Sequence, residues 1–189
     1  MAIRPLVRDV LAVDGLEPAL RLEEGLPHLE AALRRGRVTV ITGAGISTES
    51  GIPDYRGPTG RARNATPMHY DEFVGSLAAR QRYWARAYTG WARMGEARAN
   101  VAHRALVSLQ RAGLVDGIIT QNVDRLHLVA GSEQVVELHG SLDRVVCLSC
   151  RTMVDRESTQ ERLRHANPHF DTTADLGDDA GEVRPDGDI

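Results

Sequence analysis

The chain has 189 residues, 42% of them hydrophobic and 26% charged, with a formal net charge of -3. These values describe a globular domain long enough to bury a core, and the slight acidic excess argues against a general nucleic-acid binder. No apolar run reaches the roughly 20 residues of a membrane-spanning helix, and an N-terminus carrying Asp9 and Asp14 does not read as a secretory or transit signal.

Residues 17–35 predict a helix, with Leu20, Leu22, Leu26, Leu29 and Leu33 as its apolar stripe and Gly36 as its C-terminal stop. The β-branched run 37–42 predicts a buried strand that leads straight into Gly43-Ala44-Gly45. A Gly- and Pro-punctuated loop, 51–67, follows. Residues 71–94 have the pattern of one long helix, with Phe73, Leu77, Tyr83, Trp84, Tyr88 and Trp91. Asn100 is placed to cap a helix over 101–112 that ends at Gly113. A second strand at 117–120, a short helix at 123–130 ending at Gly131 and a third strand at 135–139 complete the pattern. Strand, helix, strand, helix, strand predicts an α/β fold with a Rossmann-like parallel sheet. From Asp171 to Ile189 there are seven acidic residues and one Arg, which reads as a solvated loop or frayed end.

The segment Gly43-Ala44-Gly45-Ile46-Ser47-Thr48 after a strand has the layout of a phosphate-binding crossover. Glycines there let backbone approach a pyrophosphate, and the N–H groups of the following turn face the anion. The full G-x-G-x-x-G pattern is not met, because Thr48 stands where the third Gly belongs. A plain tight turn reads equally well from this motif alone. Three further segments add weight: Gly51-Ile52-Pro53-Asp54-Tyr55-Arg56-Gly57, Thr120-Gln121-Asn122-Val123-Asp124 and Glu137-Leu138-His139-Gly140-Ser141. Parallel strands deliver the residues after their carboxyl ends to one edge, which is where open α/β sheets bind ligands. Each residue also has a structural reading. His139 can be a satisfied strand-end histidine, Asp124 a helix cap, Asn122 a turn residue, and Asp54 with Arg56 an exposed ion pair. His103 reads as core-facing or surface, and His127 as packing or surface.

The four motifs GAGIS (43–47), GIPDYRG (51–57), TQNVDRLH (120–127) and ELHGS (137–141) resemble those of the sirtuin family, in the same order and spacing, over about residues 24–155. Within it the chain is most similar to the class II group, including the mitochondrial branch with lipoamidase and ADP-ribosyltransferase activity and its bacterial relatives. The resemblance implies an NAD-dependent protein-lysine deacylase, which transfers the acyl group to ADP-ribose and releases nicotinamide. It implies that Gly43, Ala44, Gly45 and Ser47 contact the NAD pyrophosphate. Ile52 and Asp54 would line the nicotinamide pocket, and Tyr55 and Arg56 would belong to a cofactor loop. Gln121, Asn122 and Asp124 would serve the ribose and nicotinamide, and His139 would be the general base. Acylated-lysine proteins or peptides are the implied substrates, with no direct nucleic-acid or membrane partner. The Tyr-x-x-Arg pair of desuccinylases is absent; its positions fall at Ala87 and Gly90. Mono-ADP-ribosyl transfer, lipoyl removal and an inactive NAD-binding remnant are the alternatives.

Cys147 and Cys150 have C-x2-C spacing, which suits half of a structural zinc site or a reduced thiol pair. The resemblance implies zinc with a second Cys pair, and these two are the chain's only cysteines. His165 and His169 are weak substitutes. The expected organisation is therefore an N-terminal segment and helix (1–36) and the N-terminal half of the catalytic domain (37–143), with a helical module at about 55–100. A partial zinc module with an acidic loop (144–189) completes it. The sheet is expected to be incomplete, with an uncovered apolar edge. All 23 basic residues are Arg, which suggests a GC-rich bacterial genome and a cytoplasmic setting.

Overall fold

The computed structural model describes residues 21–54 and 68–170. Helix α1 (Leu22–Arg34) has Glu23 and Glu24 in its first turn and Arg34 in its last, which suits the helix dipole. Of its Leu stripe, Leu26 and Leu29 are about half exposed. Gly36, at φ 72°, turns the chain out of the helix. Strand β1 (Val38–Thr42) follows.

The segment after β1 is a 3-10 helix over Ala44–Ser50, where a turn was the expectation. It stops at Gly51, whose φ of 84° suits glycine, and the Ile52 N–H returns to the Ser47 carbonyl at 3.3 Å.

The single helix expected over 71–94 is two, α2 (Tyr70–Gly75) and α3 (Leu77–Glu96). Ser76 lies in extended backbone between them, and its hydroxyl accepts the Ala79 N–H at 3.2 Å. A serine cap competes with helix continuation wherever geometry allows it, and apolar periodicity does not register that competition.

Asn100 caps α4 (Val101–Arg111) as expected, its side chain accepting the N–H groups of Ala102 and His103. Strand β2 (Val115–Thr120) starts two residues earlier than predicted. Helix α5 (Leu126–Ala130) starts later than predicted, because Asp124 Oδ1 takes the Leu126 N–H at 2.8 Å and Arg125 adopts φ 62°. Strand β3 (Val135–Glu137) is shorter than expected, and its end turns through Gly140.

The sheet is parallel, in the order β1-β2-β3. Its register aligns Thr42 with Thr120 and Thr120 with Glu137, so all three strands end at one level. Ile118 and Val115 are buried in its middle, while Ile41 and Val136 are 71% and 54% exposed.

A separate antiparallel hairpin, β4 (Arg144–Val146) with β5 (Met153–Asp155), leads into α6 (Arg156–Ala166). Two buried α6 side chains reach α3 carbonyls: Arg156 donates to Ala87 O at 2.9 Å and Gln160 to Tyr88 O at 2.8 Å.

Candidate active site

The common level of the strand ends sets the site. Gly43, Gln121 and Leu138 each follow a strand terminus, and the chain bonds them together there. Gln121 donates its N–H to Thr42 O at 3.1 Å, and Leu138 donates to Thr120 O at 2.9 Å.

Ser47 is fully buried at the centre of the first cluster. Its hydroxyl donates to Asp124 Oδ2 at 2.7 Å and accepts from Asn122 Nδ2 at 3.0 Å. Asn122 is itself buried, with its N–H on Thr120 Oγ1 at 3.1 Å. Asp124 therefore does two things at once: one oxygen caps α5 and the other holds the glycine segment. Ile52 is buried beside this segment and Asp54 is half-buried. Tyr55 and Arg56 lie outside the described residues.

A second pair lies across the strand ends. His139 is exposed, with Nδ1 3.1 Å from the Gln121 carbonyl oxygen. That contact fits an N–H on Nδ1, which leaves Nε2 as the basic nitrogen. A cavity of about 230 Å³ opens beside His139, lined among others by Tyr83, Trp84, Trp91, Leu142 and Arg156. The Arg156 guanidinium lies 5.5 Å and 5.0 Å from the ring centres of Trp84 and Trp91. A larger groove between α3 and α6, about 560 Å³, touches neither cluster.

Gly43 and Gly45 have no structural reason to be glycine among the described residues. Neither has a positive φ, and a Cβ built on either would meet nothing within 4 Å. What glycine leaves here is open space over the backbone at the end of β1. The first N–H groups of a helical segment, here Ala44 and Gly45, have no partner within it. Bare backbone with outward N–H groups is the surface that lets a phosphate approach closely.

Three residues that sequence reasoning assigned no site role, Asn100, His103 and His127, support this segment from behind. Asn100 Nδ2 donates to Ile46 O at 2.7 Å and to Ser50 Oγ at 3.0 Å. His103 and His127, both at most 2% exposed, meet with ring centres 4.9 Å apart. His127 Nε2 lies 2.9 Å from Thr42 Oγ1. Burial holds both imidazoles below their ordinary pKa, His127 at about 4. The spacing of Asn100 and His103 on one helix start was the available signal, but it does not reveal which loop lies opposite.

The two cysteines sit at the tip of the β4–β5 hairpin, both exposed. The Thr152 hydroxyl, 3.2 Å from Cys150 Sγ, is the main cause of a Cys150 thiol held at about 7. No cluster of three or more metal-ligating side chains occurs among the described residues. The pair fits half of a tetrahedral zinc site and does not by itself make a closed one. Among the described residues no helix is long and apolar enough to cross a membrane.

Residues 43–185 match the Sir2 family. The chain belongs to that family. It is 55% identical to the NAD-dependent protein deacetylase 1 of Streptomyces coelicolor, over 83% of this chain and 50% of that protein. It is 46% identical to the NAD-dependent protein deacylase Sirt4 of Drosophila melanogaster, over 89% of this chain and 53% of that protein. A Sir2 structure with a p53 peptide and NAD+ superposes with a TM-score of 0.63 at 34% identity, covering 85% of this chain and 62% of that one. The sheet described above is thus the Sir2 Rossmann-like sheet, and this sirtuin chain spans about half the length of the curated relatives it matches.

Proposed function

We propose that the protein to which these residues belong is an NAD-dependent protein-lysine deacylase. It would transfer the acyl group of an acylated lysine to ADP-ribose and release nicotinamide. The single observation that carries this reading is the pair Gly43 and Gly45, glycines with open space above them, in a segment pinned by Ser47, Asp124 and Asn122. The Sir2 relatives named for NAD-dependent deacetylation, and a Sir2 structure holding NAD+ with a peptide, support it.

In this reading NAD supplies the ribose carbon that accepts the acyl oxygen. Gly43, Ala44, Gly45 and Ser47 receive the pyrophosphate through backbone, with Ser47 buried to keep the segment in place. Ile52 and Asp54 face the nicotinamide, and Tyr55 and Arg56 belong to the cofactor loop. Gln121 serves the nicotinamide ribose, and Asn122 and Asp124 support the ribose and the nicotinamide pocket. His139 Nε2 takes the proton of a ribose hydroxyl, a task suited to histidine near neutral pH. The cavity beside His139 receives the acyl chain between Tyr83, Trp84 and Trp91. Ala87 lines it where a desuccinylase has Tyr, which argues against a dedicated succinyl-lysine specificity. Cys147 and Cys150 supply half of a structural zinc site in the module starting near residue 144, and zinc takes no part in the reaction. Transfer of ADP-ribose to protein and removal of lipoyl groups would use the same residues.

The test is incubation of the protein with NAD and an acyl-lysine peptide, reading nicotinamide and acyl-ADP-ribose. The expected result is equal amounts of both, loss of acyl-ADP-ribose in His139→Ala, and retained NAD binding in that variant. Release of nicotinamide without acyl-ADP-ribose overturns the deacylase reading and favours a different acceptor.

A further inference from the structure

The buried pair His103 and His127 has no role in the chemistry above, yet it joins both ends of the glycine segment. On one side, His127 Nε2 is 2.9 Å from the hydroxyl of Thr42, the residue before Gly43. On the other, His103 Nδ1 is 3.0 Å from Asn100 Oδ1, and the amide nitrogen of that same side chain donates to Ile46 O and Ser50 Oγ. The two rings touch edge to face, at 4.9 Å and 62°. A continuous chain of contacts therefore runs Thr42, His127, His103, Asn100, Ile46, behind the open backbone of Gly43 and Gly45. We propose that His103 and His127 are positioning residues for the cofactor-binding glycine segment, and that they hold it only while both rings are neutral. This inference rests on the NAD reading of the site.

The argument for neutrality is one of hydrogen-bond supply. The second nitrogens of the rings, His103 Nε2 and His127 Nδ1, are buried without a hydrogen-bond partner among the described residues. A neutral imidazole can leave one nitrogen as a bare lone pair, whereas imidazolium carries an N–H on both. On His127, a donor Nε2 serves Thr42, and a proton added at Nδ1 would face no acceptor. On His103, Nδ1 also lies 3.3 Å from the Asn100 backbone nitrogen. If Nδ1 donates to Oδ1, the added proton strands an N–H at Nε2. If Nδ1 accepts from the backbone, the added proton breaks that bond.

The surrounding charges do not reverse this. Asp124, after β2, favours the protonated form of both rings, but Ser47 and the Leu126 N–H already occupy its oxygens. Arg104 on α4 opposes protonation of His103, and the His103 ring opposes protonation of His127. Desolvation is the largest cause for each.

Protonation should therefore release the segment. With an ordinary value of 6.5 once released and about 4 while held, the equilibrium for releasing His127 rises about tenfold from pH 8 to pH 5.5. The experiment is hydrogen exchange of the segment's amides, Ile52 included, on the full chain at both pH values, corrected for intrinsic rates, with NAD titrated in parallel. The expected result is an opening equilibrium about tenfold larger at pH 5.5, with weaker NAD binding and unchanged protection in α6. In His127→Gln, whose amide can serve Thr42 but cannot take a proton, opening at pH 8 should stay within about threefold of the parent and lose most of its pH dependence.

Equal opening at both pH values in the parent overturns the proposal. So does a pH response that survives unchanged in both His127→Gln and His103→Gln. Exchange requires no cofactor, so a segment that opens as described in a protein that binds no NAD at pH 8 would remove the NAD reading, and with it the cofactor role of the pair. NAD binding with a pH-indifferent segment would remove this inference alone.

Discussion

Asn100 separates two forces that act on the same side chain. Its Oδ1 caps α4, and its Nδ2 ties down the glycine segment through Ile46 O and Ser50 Oγ. Asn100→Asp keeps the acceptor and so keeps the cap, since Asp and Asn cap almost equally well. It loses two donated bonds at about 1 kcal/mol each and sets a carboxylate oxygen against the Ile46 carbonyl, 2.7 Å away in the parent. The Ser50 hydroxyl can turn to donate and recover part of this. The expected net loss is about 3 kcal/mol, because the site is buried and an unpaired acceptor there adds its desolvation. Asn100→Ala loses the cap, at ~1 kcal/mol, and the same two bonds, but introduces no repulsion. Asp should therefore be no better than Ala, which removes the advantage that capping alone predicts for Asp. Urea denaturation of the chain measures both; at a slope of ~2 kcal/mol/M the midpoint should fall by about 1.5 M. An Asp variant within about 0.5 kcal/mol of the parent would mean that the tie to the glycine segment contributes nothing and only the cap matters.

Other measurements check other parts of the structure. Ser47→Ala leaves a buried Asn122 amide and one Asp124 oxygen without their shared partner, so about 2–3 kcal/mol should be lost in the same assay; a loss under about 0.5 kcal/mol argues that water takes the place of the hydroxyl. The histidine pair makes stability depend on pH. Its folded-state values lie below the unfolded ones, so its contribution is complete above about pH 6.5 and is lost as pH falls toward 4; for His127 this amounts to about 3 kcal/mol, of which about 2 should be gone by pH 5. Denaturation at pH 7.5 and 5.0, with and without His127→Gln, reads that share. Cys147→Ser with Cys150→Ser should move stability by less than about 0.5 kcal/mol, as both thiols are exposed; a large loss that chelation reproduces in the parent would instead reveal a closed metal site. Arg156→Ala vacates the space between Trp84 and Trp91 and strips Ala87 O of its side-chain donor, so a loss of about 3 kcal/mol is expected, with α6 loosened from α3 in hydrogen exchange.

Local chemistry was enough to determine much of this protein. The β-branched runs, the cap at Asn100 and the stops at Gly113 and Gly131 act within a few residues, so they can be read in order along the chain. The placement of polar residues after each strand followed from the same pattern, since a parallel strand can deliver them only to its carboxyl end. Local reading failed where two local rules competed. Ser76 could continue a helix or cap one, and it caps; Asp124 could serve α5 or a distant partner, and it serves both.

What only the tertiary structure decided is which polar groups meet across long separations. Ser47 and Asp124 are 77 positions apart, and Thr42 and His127 are 85. Their contact depends on the register that sets Thr42, Thr120 and Glu137 level, and register comes from strands packing side by side. The burial that keeps His103 and His127 neutral has the same origin. A histidine has no fixed character in a sequence, because its proton affinity depends on how much water and how many partners the folded chain leaves it.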